Sequence, residues 1–181
     1  AVRISDSGKY NNNAEKNEKL NASIDKTLDI IEAKGDTYSN DFPIIYNNGQ
    51  FSYNVEGTSL LRFLRDSYGT ESIAALSDEQ KATSAENMFK YLCKTYEVNY
   101  DEFGIEHSLM IVNLRRYMAA NSYNRYLTFI IANEVSDETV AAILENSDGL
   151  VGVTVEEQYI RRYVDSVYCS QILGYTGTVS N

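Results

Sequence analysis

An apolar run, a capped helix and a second alternating run follow one another between Tyr126 and Tyr159. That order describes a β–α–β unit of about 30 residues with a short crossover helix. Tyr126 to Asn133 is rich in large apolar side chains, as strands are. Ser136 stands where a helix N-cap belongs, and Asp137 and Glu138 fill the first turn, where negative charge favours the helix dipole. Val135 and Val140 hold the two positions of a hydrophobic staple. Val140, Ile143 and Leu144 form the expected buried edge, and Asn146 to Gly149 ends the helix. Val151, Val153, Val155 and Tyr159 then resume strand character, with polar residues between them. Whether the two strands are neighbours is not legible from their pattern. The segment closes on Gly174 and Gly177, glycines that permit dihedrals closed to other residues, so this turn is expected to set the direction in which the chain leaves. Nothing in the unit looks like an active site.

The rest of the chain reads as helices around a small hairpin. Val2 and Ile4 suggest a short strand, followed by an asparagine-rich loop to residue 13. Leu20, Ile24, Leu28 and Ile31 fall at helical spacing and predict a helix over 14–34, stopped by Gly35. Two short apolar runs flank Asn47-Asn48-Gly49, a hairpin signature. Thr58 or Ser59 is placed to cap a helix carrying Leu60, Leu61, Leu64 and Tyr68 and ended by Gly69. Ser77–Gln80 and Thr83–Glu86 both fit the capping-box pattern. Ala85, Met88, Phe89, Leu92, Cys93 and Tyr96 make one apolar stripe, and Met110, Ile111, Leu114 and Met118 align on a last helix over about 105–120. The expected class is α+β: a small mixed sheet, a C-terminal β–α–β unit and a helical subregion over 56–122, all within one domain spanning 1–181.

Charge and composition narrow the function. Sixteen basic against 26 acidic residues leave a net charge of −10, the wrong sign for nucleic acid, whose phosphates require clustered Lys and Arg. The doublets Arg115–Arg116 and Arg161–Arg162 read as solvated faces rather than a basic patch. Two cysteines, Cys93 and Cys169, lie far apart without a CxxC partner; buried thiols are the first reading and a disulfide the second. One histidine, His107, reads as a partly exposed helical residue beside Glu106. One His and two scattered Cys cannot supply a zinc site, and neither a calcium loop nor a phosphate-binding loop is present. No metal or cofactor is therefore expected. Ser23-Ile24-Asp25-Lys26 is an SxxK, the spacing in which a serine nucleophile is assisted by a lysine one turn on. It lies on an amphipathic helix and no KTG or KSG follows, so the oxyanion and carboxylate contacts of such an enzyme are missing. A small serine acyl-enzyme using Ser23 and Lys26 is kept as an alternative. A secreted α+β ligand-binding domain, which would show a deep apolar pocket, is another.

Three motifs in order carry a family resemblance. Val135-Ser136-Asp137-Glu138-Thr139-Val140-Ala141-Ala142-Ile143, then Gly152-Val153-Thr154-Val155-Glu156 through Arg161 or Arg162 and Tyr163, then Ser170-Gln171-Ile172-Leu173-Gly174-Tyr175-Thr176-Gly177, resemble the non-catalytic N-terminal dimerisation, or pedestal, domain of class B penicillin-binding proteins. Asp41-Phe42-Pro43-Ile44 and the helical stretch from Leu76 to Tyr126, particularly Tyr91-Leu92-Cys93 and Arg116-Tyr117, are similar to the helical insertion of clostridial-type members, and a looser resemblance extends from Leu20 onward. Three features depart from the family: Val164-Asp165-Ser166 stands where Tyr-Pro-x-Gly is usual, Gln171 replaces a histidine, and the upstream RGxIxDRxG strand and membrane anchor are absent. The resemblance marks Ser136, Thr139, Arg161, Gly174, Tyr175 and Gly177 as structural motif residues and implies no catalytic residue. It implies that the chain is a piece of a longer enzyme, with the transpeptidase domain beginning after Asn181. It places the chain on the outer face of a bacterial cytoplasmic membrane, anchored by an upstream helix. The implied partners are that transpeptidase domain, the membrane glycan polymerase, other cell-wall synthesis proteins and, as a further possibility, a second copy. Fifteen tyrosines and six phenylalanines suit a packed core with a contact face.

Overall fold

The computed structural model describes residues 1–156. The chain forms β1 (Val2–Ile4), α1 (Asn13–Ala33), β2 (Ile44–Asn47), β3 (Gln50–Tyr53), α2 (Gly57–Tyr68) and α3 (Asp78–Lys81). It continues through α4 (Ala85–Thr95), α5 (Tyr100–Phe103), α6 (Ile105–Ala120), β4 (Phe129–Ala132), α7 (Asp137–Glu145) and β5 (Val153–Val155). The fold is α+β, as expected.

β1 organises the sheet. It lies between β4 and β5 and is antiparallel to both. The two strands of the C-terminal β–α–β unit are thus parallel to one another but not neighbours, because a strand from the start of the chain fills the gap. The expected mixed sheet has only antiparallel pairings among the described residues. Val2 and Ile4 are fully buried while Arg3 between them is not, the two-residue period of a strand with one face on the core. β4 is shorter than the apolar run that suggested it: Tyr126 and Leu127 precede it, and both are exposed.

α1 is capped by Asn12, whose side chain accepts from the Glu15 N–H at 2.8 Å. Leu20, Ile24, Leu28 and Ile31 are all fully buried, as their spacing predicts. The hairpin turns through Asn48 and Gly49, both at positive φ (51° and 81°), the conformation that selects Asn-Gly in two-residue loops. α2 begins at Glu56 without a side-chain cap, so neither Thr58 nor Ser59 caps it; it ends at Gly69 in the left-handed region. The Ser77–Gln80 capping box is formed but serves only the one-turn α3. Ser84 rather than Thr83 caps α4, accepting from the Asn87 N–H. The Thr83 hydroxyl is engaged with the Glu79 carbonyl and the Tyr68 hydroxyl, and Glu86 pairs with Lys90. The α4 stripe is buried through Cys93 as anticipated.

α6 is the central helix. It packs against α1, α4, α5, β2 and β4, and Ser108 to Arg115 are buried without interruption. One hydrophobic core runs from β1 through α1, the hairpin and the helices to α7. Edge-to-face contact of Phe42 with Phe63 (5.6 Å) and stacking of Phe51 on Phe89 (4.8 Å) tie the hairpin side of that core together.

Candidate functional site

Residues that suggested chemistry are used for packing. Ser23 is 1% exposed on the inner face of α1 rather than on a surface helix, and its hydroxyl accepts from the Val151 N–H at 2.8 Å. The bond pins the loop ahead of β5 to α1. Lys26, one turn on, is exposed. The sequence also holds two SxN triplets, Ser52-Tyr53-Asn54 and Ser122-Tyr123-Asn124; Ser52 lies in β3 and Ser122 in the turn after α6, on different parts of the fold. Cys93 is buried, and burial pushes its thiol up to about 12, far from the thiolate a nucleophile needs.

Ser136 and Thr139 of the C-terminal motif meet a partner that the sequence reading did not find. The Asp36 carboxylate, just beyond α1, accepts from the Ser136 N–H (2.8 Å), the Ser136 hydroxyl (2.7 Å) and the Thr139 hydroxyl (2.5 Å). Ser136 at the same time caps α7 by accepting from the Thr139 N–H. Thr139 is fully buried. Hydrogen bonds from Thr139 and Ser136 hold the Asp36 carboxyl below its ordinary value, so the clamp stays charged at neutral pH. It joins the end of α1 to the start of α7. Leu144, expected on the buried edge of α7, is 59% exposed instead, because the clamp turns the Thr139–Ile143 side of the helix inward. Val140 is half-buried.

The Arg115–Arg116 doublet is not a solvated face. Arg115 is 5% exposed; it donates to Asn17 (2.5 Å) and Asn21 (3.3 Å), and it lies over the Tyr96 ring. Arg116 lies over Phe63 at 5.3 Å and over Tyr117 at 4.9 Å. Both positions face inward because α6 is packed on nearly every side.

His107 joins α6 to α1 through both ring nitrogens, with Nδ1 2.7 Å from Asp25 and Nε2 3.3 Å from Glu32. Tyr38 packs edge-on to its ring and donates to Glu32. Only the imidazolium can donate to both carboxylates. Burial opposes the charge, but the hydrogen bonds that His107 donates to Asp25 and Glu32 outweigh it, and the His107 pKa ends above its ordinary value. A group raised on folding contributes stability that is complete below its unfolded pKa, near 6.5, and is lost as pH rises through the folded value. Urea denaturation from pH 6 to pH 9 is therefore expected to show stability falling with pH, and His107→Gln should remove most of that slope. An unchanged slope in the variant would assign the pH dependence elsewhere. Among the described residues no group of three His, Cys, Asp or Glu could hold a metal ion.

An open cleft of about 460 Å³ lies between α6, the 39–41 loop and the β1–β4 part of the sheet. α6 walls it with Met110, Asn113 and Tyr117, the 39–41 loop with Asp41, and the sheet with Arg3 and Ile130. Tyr117 stacks on Phe129 at 6.0 Å, and Asp41 accepts from Asn113 and Tyr117. Ile130 in the cleft wall is exposed, as are Tyr123, Tyr126 and Leu127 in the segment between α6 and β4. Arg161, Gly174, Tyr175 and Gly177, the remaining motif residues, lie outside the described residues, as do Cys169, Arg162 and Tyr159.

These features describe a scaffold: its hydroxyls, guanidinium and imidazole hold elements together, and its exposed apolar side chains flank one sheet edge. The family model of the penicillin-binding protein dimerisation domain matches residues 9–181, and the chain belongs to that family. The domain is non-catalytic, in agreement with the use of Ser23 in packing. No curated relative matches the chain. The motif positions Ser136 and Thr139 are legible in sequence; Asp36 and Asn21 are not, since their roles depend on partners 100 or more residues away for Asp36 and 75 or more for Asn21.

Proposed function

We propose that the chain positions the catalytic domain of a peptidoglycan transpeptidase above the outer face of the bacterial membrane and offers a surface to other cell-wall synthesis proteins, the glycan polymerase among them. Membership of the dimerisation-domain family supports this reading. The observation that carries it is the Asp36–Ser136–Thr139 clamp, which fixes the first helix to the helix of the C-terminal motif and so stiffens the body between its two ends. A spacer transmits position only if it resists bending, and charge-assisted hydrogen bonds are the stronger kind. Among the described residues no helix is long and apolar enough to cross a membrane; attachment by an upstream helix is part of the proposal.

Three measurements test it. The 181-residue chain should take up no covalent label from a fluorescent penicillin, and Ser23→Ala should lower stability by about 1–2 kcal/mol by leaving the Val151 N–H without its partner. In the parent enzyme, a flexible Gly/Ser linker in place of this region should leave penicillin acylation intact and abolish cell-wall cross-linking. Label uptake lost on Ser23→Ala would establish an acyl-enzyme instead, and full cross-linking with the linker would remove the positioning role.

A further inference from the structure

A hollow of about 390 Å³ lies where the loop after β1, the start of α1 and the turn after α6 meet. Asp6, Tyr10, Asn13, Lys16, Ser122 and Arg125 line it. Asp6 is 5% exposed, and only half of its carboxylate is used. Oδ2 accepts from Lys16, whereas Oδ1 is buried and has no hydrogen-bond donor among the described residues. Arg125 Nη2 stands 3.9 Å from Oδ1, near enough for charge to act but too far for a hydrogen bond. The Tyr10 hydroxyl, packed against Gly8, is buried without a partner as well. Buried polar atoms are nearly always paired, because leaving one unpaired is costly. Two such oxygens at one hollow mark a place built to receive a donor.

Charge identifies the ligand class. The chain carries −10, yet this hollow is cationic. Lys16 and Arg125 share the single carboxylate of Asp6, and Arg115 lies behind them, close enough for its charge to act on both Asp6 and Tyr10. Arg125 is fixed in place: Nε donates to the Asp6 carbonyl at 3.1 Å, Nη2 donates to the Gly8 carbonyl at 2.7 Å, and the guanidinium lies over the Tyr10 ring. α1 adds the positive end of its dipole. Asn12 caps the Glu15 N–H, and the N–H groups of Asn13 and Ala14 have no acceptor within the helix. Glu15, the acid of that turn, is engaged by Asn11 and Lys19. The hollow therefore favours an anion. The donor to Asp6 Oδ1 must be a neutral O–H, because an ammonium would add a fourth cation around one carboxylate.

We infer that this hollow binds a hydrogenphosphate ion, with the charged oxygens on Arg125, Lys16 and the first N–H groups of α1, and the P–OH donating to Asp6 Oδ1. Inorganic phosphate keeps one proton throughout the neutral range, sulfate keeps none, and a phosphomonoester loses its last proton at about pH 6. Asp6 thus selects free phosphate over both, since either of the others would set an oxygen lone pair against the carboxylate. The site uses none of the residues that carry the scaffold reading and stands independently of it.

Isothermal titration calorimetry of the 181-residue chain tests it, at pH 8 and constant ionic strength, with inorganic phosphate, sulfate and methyl phosphate. All three are dianions there and differ in the proton; methyl phosphate represents phosphorylated sugars and lipid headgroups. Wild type should bind one phosphate, and the other two ions more weakly by about tenfold or more. Asp6→Asn replaces the acceptor with an amide that can donate to any of the three, so their affinities should converge to within about threefold. Arg125→Gln should weaken all three by about tenfold and keep their order. Thermal melts accompany each variant. If Asp6→Asn does not fold, the three ions on wild type and on Arg125→Gln, whose side chain is 52% exposed, decide the question. Wild type without saturable phosphate binding overturns the inference. So does sulfate or methyl phosphate binding as tightly as phosphate, a folded Asp6→Asn chain that still prefers phosphate, or an Arg125→Gln chain that binds phosphate like wild type.

Discussion

Gly152→Ala should cost about 3 kcal/mol of stability and lower the melting temperature by about 10 °C. Gly152 sits just ahead of β5 at φ 79°, a conformation that L side chains rarely adopt. A Cβ added there would clash with the Ser5 carbonyl oxygen. The close approach is part of the sheet, because the Ser5 N–H donates to the Gly152 carbonyl at 2.9 Å where β1 and β5 part. Backbone must therefore move at the end of the β1–β5 pair, and a strained dihedral of about 1–2 kcal/mol adds to an overpacking cost of similar size. Gly69→Ala is the control. Gly69 also has positive φ, 68°, but nothing lies within 4 Å of its would-be Cβ, so the conformational cost of about 1 kcal/mol stands alone. Chemical denaturation of both variants decides the matter: equal losses would show that the contact with Ser5 contributes nothing.

Asn21→Ala should cost about 2–4 kcal/mol. Asn21 is 2% exposed on α1 and serves three partners. Its amide donates to the carbonyls of Tyr96 (2.9 Å) and Glu97 (3.2 Å), at the left-handed turn that ends α4, and its oxygen accepts from Arg115 at 3.3 Å. Removing it strips the carbonyls of a donor and the buried guanidinium of an acceptor. Burial already pulls the Arg115 pKa below its ordinary value, with Asp6 the first of the groups that oppose the shift. The charge therefore depends on the neighbours that remain. A double-mutant cycle with Arg115→Met checks the coupling: losses that fall short of additive by about 1 kcal/mol or more are expected, and strict additivity would show that the two side chains act independently.

Local signals read true where one element contained its own explanation. The α1 stripe, the Asn48-Gly49 turn, the Gly69 stop and the Ser136 cap each depend on residues within a few positions, and each is formed. Errors gathered where a distant partner decided the outcome. Thr83 fits a capping box by spacing, but Tyr68 and Glu79 claim its hydroxyl and Ser84 caps instead. Leu144 fits a helical stripe, yet Asp36 rotates the opposite choice, Thr139, into the core. Arg115 reads as surface because arginine is mostly found there, until two asparagines of α1 surround it. Of the candidate site, Ser136 and Thr139 were legible as motif residues, while the clamp that gives them a role was not.

Spacing of apolar residues and the capping and turn chemistry beside them determined, from the amino-acid order alone, which segments become helices and strands and that they assemble as α+β; the three ordered motifs determined the family. Only the tertiary structure decided that β1 separates β4 from β5, that Ser23, Asn21 and Arg115 act inside the core, and that β4 is an outer strand of the sheet among the described residues. The physical reason is range: helix period, caps and turns are set by neighbours a few residues apart, whereas strand order and the partners of buried polar groups are set by segments about 70 to 150 residues away.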